Sequence, residues 1–120
     1  MKRLIAVLLA VALVFAFAAC GKTETGTDKP AVEKLSFVTG GESGTYYGFG
    51  SVIAQHATSE AGLDVTAVTS GGSQANINEL QDGNAEIGFC QSDVMAYAYQ
   101  GTNLFKQKID TFQTVAALYD

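Results

Sequence analysis

Three short stretches of this chain carry residue types that can grip an anion: Gly40-Gly41-Glu42-Ser43-Gly44-Thr45-Tyr46-Tyr47, Ser70-Gly71-Gly72-Ser73 and Cys90-Gln91-Ser92-Asp93. Glycine turns let backbone approach a bound group closely, and the unpaired N–H groups in the first turn of a following helix are donors aimed at negative charge. The hydroxyls of Ser43, Thr45, Ser70 and Ser73 can cap those helices or donate to a carboxylate. Tyr46 and Tyr47 read equally as core or as pocket walls with a hydroxyl turned inward. Asn76 falls one turn into a helix, with its amide facing either the second loop or solvent. The candidate binding set is therefore Gly41, Ser43, Gly44, Thr45, Tyr46, Ser70, Gly72, Ser73, Asn76, Gln91 and Ser92.

Other chemistries fit these residues poorly. A phosphate loop ends in lysine, yet the first turn runs through Ser43 and Thr45 to Tyr46 without a basic residue. The spacing of Gly40, Gly44 and Gly48 departs from a dinucleotide fingerprint. His56 is the single histidine, so a secreted enzyme would have to pair it with Ser70 or Ser73, and no catalytic residue is expected. No group of His, Cys, Asp and Glu has metal-ligand spacing, and neither metal nor cofactor is expected. Cys90, ending the apolar run Ile87-Gly88-Phe89, reads as a small packing residue.

The elements that must position the loops alternate in type. Residues 35–39 predict a strand and 46–61 a helix, with Phe49, Val52, Ile53 and Ala57 on its inward face until Gly62 ends it. A second strand follows at 64–69, then a short helix marked by Ile77 and Leu80 and stopped by Gly83. The third strand is 85–89, and a helix with Val94, Met95, Tyr97 and Ala98 runs to Gly101. Residues 103–112 connect, and 114–118 predict a last strand. Alternation at this spacing argues for an α/β fold with a parallel sheet and helices on both faces. Loops after successive parallel strands emerge at one sheet edge, where open sheets bind ligands.

The N-terminal end sets the compartment. Lys2 and Arg3 precede sixteen apolar residues, 4–19, short of a membrane span and built like an export signal. Phe17-Ala18-Ala19-Cys20-Gly21 resembles a bacterial lipobox, apart from phenylalanine where leucine is usual. That resemblance makes 1–19 a lipoprotein signal peptide and Cys20 the lipid attachment point, leaving Cys90 without a disulfide partner; an uncleaved anchor or an ordinary secretory signal are the alternatives. Residues 20–34 are polar and form a flexible tether ahead of the domain at 35–120. Loss of Lys2 and Arg3 leaves five basic against twelve acidic residues, a formal charge near −7. Nucleic acid is excluded as a partner on that count.

Taken in order, Phe37-Val38-Thr39-Gly40-Gly41 with Gly44-Thr45-Tyr46-Tyr47, Thr69-Ser70-Gly71-Gly72-Ser73 with Asn76, and Glu86-Ile87-Gly88-Phe89 with Gln91-Ser92-Asp93 resemble the TAXI-type solute receptors of TRAP transporters. The resemblance implies one lobe of a type 2 periplasmic-binding-protein fold of the two-lobed, Venus-flytrap kind. Such a receptor captures a small anionic organic solute, an amino acid or dicarboxylate, and delivers it to TRAP membrane permease subunits. An ABC-importer binding lipoprotein is the alternative, and a structural surface lipoprotein a further one. The ligand contacts carry over to Thr45, Tyr46, Ser70, Ser73 and Gln91, with backbone N–H groups around Gly44 to Tyr46 meeting the carboxylate. Receptors of this kind are considerably longer, so 35–120 corresponds to the first part of lobe 1. The expected location is extracytoplasmic, with a lipid anchor on the outer face of the cytoplasmic membrane, or periplasmic.

Overall fold

The computed structural model describes residues 33–119, so the expectations for the signal peptide, for Cys20 and for most of the tether lie outside the described residues. Strand β1 (Lys34–Val38) leads through the first glycine turn into helix α1 (Thr45–Ala61). Strand β2 (Asp64–Val68) is followed by α2 (Ser73–Gln81), and β3 (Ile87–Gly88) by α3 (Ser92–Gln100). The sheet is parallel throughout, with the order β2-β1-β3. This is the expected α/β architecture, consistent with part of a periplasmic-binding-like lobe.

Register decides the geometry of the site. Val38 pairs with Val68 on one side and with Gly88 on the other, so the three strands end in one row. The three loops therefore leave side by side.

Because side chains alternate across a strand, neighbouring residues feed opposite layers. Phe37 joins Ala54, Val65 and Phe89 beneath α1, with Leu35, Tyr46, Ala57 and Ala67 around them. Val38 turns to the other face, where Gly88 lets Asn76 and Leu80 of α2 approach. A second cluster of Ile77, Val94, Ala98, Phe105 and Ile109 ties α2 and α3 to the segment after Gly101. Cys90 is half-buried against it, the packing role its neighbours in sequence suggest.

Two expectations need correction. The face of α1 that meets the sheet is not the one bearing Phe49, Val52 and Ile53. Phe49 and Val52 are each 63% exposed and Ile53 is 39% exposed, whereas Gly50 and Ala54 are buried. Small residues win because the helix lies too close to β1 for larger ones: a methyl added at Gly50 would overlap the Thr39 methyl group. The second correction concerns residues 114–118, which form no strand, with Val115 97% exposed. A strand needs a paired edge, and β3 is only two residues long. The Ser36 N–H that could extend its ladder is taken instead by the Glu86 carboxylate at 2.7 Å.

Candidate functional site

Each loop is built from the strand end before it and the helix start after it. In the first, Gly44 N–H bonds back to the Gly41 carbonyl at 2.8 Å, closing a tight turn that aims the start of α1 outward. In the second, Gly72 sits at φ 90° and ψ −161°, a region that side-chain-bearing residues avoid. That conformation brings its N–H to the Ser70 hydroxyl oxygen at 3.1 Å. In the third, Gln91 is extended ahead of α3, and its N–H donates to the Ser73 hydroxyl oxygen at 3.0 Å.

Asn76 locks the loops together. It is fully buried, and its amide donates to the Thr39 carbonyl at 2.7 Å and the Phe89 carbonyl at 2.8 Å, while its oxygen accepts from the Ser70 hydroxyl. One side chain thus bonds the end of β1, the end of β3 and the second loop. Ser70 N–H adds a direct bond to the Gly40 carbonyl at 3.0 Å, and Thr39 donates its hydroxyl to the Val68 carbonyl at 2.7 Å. Of the two places sequence leaves open to Asn76, it takes the loop-facing one. Its hydrogen-bonding capacity is used on the protein, which makes it a positioning residue.

The other candidates divide by exposure. Gly41, Ser43, Gly44, Thr45, Gln91 and Ser92 stand exposed at the rim; Tyr46, Ser70 and Gly72 are half-buried, and Ser73 is buried. The Tyr46 ring packs on Phe89 with centroids 4.9 Å apart, so its body belongs to the core beneath α1. Burial raises the Tyr46 pKa above the ordinary tyrosine range; Tyr119 raises it further and Ser73 pulls it back. Burial likewise raises the Cys90 thiol, and the Ser73 hydroxyl opposes that shift. At neutral pH both groups are protonated and neutral.

None of the three helices has a side-chain cap: their N-cap residues are Gly44, Gly72 and Gln91. Of the roles open to the hydroxyls, capping is not the one taken in the second loop, where Ser70 and Ser73 join segments. First-turn N–H groups have no partner within their own helix, and here α1 and α2 present theirs at the shared edge. On α3 the Asp93 carboxylate bonds the Val94 N–H at 2.8 Å, leaving α1 and α2 as the stronger donors for an anion. A separate groove of about 260 Å³ starts at Ser70 and Gly71 but runs down the flank of α2 past Glu79 to Asn84, away from the first and third loops. It is open and lies off the row of helix starts.

His56 is exposed on α1 eleven residues beyond its start, about 16 Å along the axis. The serine–histidine pair does not come together. Among the described residues no cluster of His, Cys, Asp and Glu could hold a metal ion. Sequence reasoning missed one member of the neighbourhood, Thr39, whose hydroxyl and carbonyl both bond within the loop network. It was legible in principle, being a hydroxyl residue where β1 gives way to its glycine turn.

One comparison bears on what this arrangement is for. The family model described as the NMT1-like family matches residues 37–120, from within β1 through all three loops. The match covers well over half of the chain, and the chain belongs to the NMT1-like family, a periplasmic-binding-like family whose members are solute-binding rather than enzymatic in type.

Proposed function

We propose that the chain is the extracytoplasmic receptor of a TAXI-type TRAP transporter and captures a small carboxylate, either a glutamate-like amino acid or a dicarboxylate. The carboxylate lies against the first-turn N–H groups of α1 and α2, with Thr45, Tyr46, Ser73 and Gln91 around it. Asn76 and Ser70 hold those donors in register. Cys20 carries the lipid that keeps the receptor at the outer face of the membrane, beside its permease subunits.

The observation that carries this reading is three helix starts without side-chain caps, set in one row by the shared Val38 register. Oriented amides create a locally positive spot even on an acidic chain, since backbone dipoles need no side-chain charge. Family membership supports a solute as the ligand and a transporter as the partner. Isothermal calorimetry of the full chain against glutamate, neutral amino acids, succinate and a polyamine tests it. Saturable binding of at least one carboxylate, with none of the polyamine, is the expected outcome. Absence of heat with every carboxylate would contradict it.

A further inference from the structure

The third loop reaches the shared edge with its backbone donors already committed. The Asp93 carboxylate takes the Val94 N–H at 2.8 Å, and the Gln91 N–H is spent on the Ser73 hydroxyl oxygen at 3.0 Å. What remains to the loop is the Gln91 side chain. It is exposed at the N-cap of α3, on extended backbone at φ −74° and ψ 143°. Ser73, the first residue of α2, is by contrast buried, at 7% exposure.

Ser73 meets Gln91 twice. Its oxygen accepts the Gln91 N–H, and its own proton faces the Gln91 Oε1 at 3.5 Å. The backbone bond carries the restraint; the side-chain contact is long and sets which way the amide faces rather than adding strength. With Oε1 turned to Ser73, the amide NH2 group is left on the open side, and no residue among those described accepts from it. A carboxamide of this kind offers two donors and no charge.

We infer that Ser73 is a positioning residue for Gln91, holding its amide so that the NH2 group, and not the first turn of α3, is the third loop's donor to the bound carboxylate. This rests on the receptor reading above. A hydrogen bond to a charged acceptor is among the stronger kinds, so removing the Gln91 amide weakens binding by about tenfold. Removing the Ser73 hydroxyl releases the same amide and weakens binding by about fivefold. Because both changes act through one donor, their effects do not multiply.

The test is calorimetry of the full chain with glutamate and succinate as probes, on Ser73→Ala, Gln91→Ala, the double variant and Gln91→Glu. For whichever probe the unmodified chain binds, the double variant is expected to bind no more weakly than Gln91→Ala alone. Losses that multiply in the double variant would overturn the positioning role of Ser73. Gln91→Glu keeps an oxygen for Ser73 but puts a negative oxygen where the NH2 group stood, so it is expected to bind about tenfold more weakly than Gln91→Ala. That comparison needs no change at buried Ser73, and Gln91 is exposed, so both variants retain the fold. Gln91→Glu binding as well as Gln91→Ala would overturn the assignment of the NH2 group as donor. No binding of either probe by the unmodified chain would overturn the inference together with the carboxylate reading beneath it.

Discussion

Replacing Asn76 by aspartate is expected to lower the urea midpoint of the full chain by about 2 M, corresponding to a loss of about 3 kcal/mol or more. The shape of the side chain is kept, so packing is not the cause. What changes is that two donors become acceptors while the Thr39 and Phe89 carbonyls stay where they are, buried and facing oxygen. An unsatisfied buried acceptor carries its full desolvation penalty, and an unpaired buried carboxylate adds more. Asn76→Ala removes the same bonds and leaves a void beside Ile77 at the base of α2, with a loss of similar size. A midpoint for Asn76→Asp equal to that of the unmodified chain would show that the loops are held by something else.

The second large effect is a contrast within one helix. Gly48 and Gly50 both lie in α1, and alanine at either is favoured by helix propensity, by about 1 kcal/mol. Around Gly48 there is nothing within 4 Å of an added methyl, so Gly48→Ala is expected to stabilise by about that amount. At Gly50 the methyl would run into Thr39 and come within 3.3 Å of Phe89. Thr39 cannot turn aside cheaply, because its hydroxyl is committed to the Val68 carbonyl and the residue is fully buried. Overpacking of this kind costs about 1–3 kcal/mol and pushes α1 off the sheet, so Gly50→Ala is expected to destabilise despite its better propensity. Opposite signs for the two substitutions in a urea titration check the claim; equal signs would refute it.

Much of this was legible in the residues, for identifiable reasons. Apolar runs ending in Gly40-Gly41, Gly71-Gly72 and Cys90-Gln91 locate the strand ends within a residue or two, since a buried parallel strand must be apolar and its exit must turn. From parallel order alone it follows that the loops share an edge, and the Val38 register realises it. The inward face of α1 was not legible. Gly50 and Ala54 carry almost no hydrophobic signal, whereas Phe49 and Val52 carry a strong one and remain exposed.

The candidate site divides in the same way. Glycines and hydroxyls mark the loops, yet nothing in sequence says which backbone carbonyls will be left for Asn76 to satisfy. That is a property of the assembled sheet, where the ends of β1 and β3 have finished pairing and still point into α2. Residues 114–118 show the reverse error. Their composition suits a strand, but a strand exists only where it pairs, and the described residues 114–118 pair with neither edge strand, β2 or β3.

The claim on which the rest depends is that the starts of α1 and α2, with the Gln91 turn beside them, act as one anion cradle. Backbone amide NMR of isotope-labelled full-length protein, titrated with the carboxylate that binds best, tests it directly. Concerted, saturable shifts at Thr45 to Tyr47, Ser73 to Ala75 and Gln91, with a single midpoint, are the predicted result. Shifts confined to one loop, or centred on the groove between Ser36 and Glu79, would contradict it.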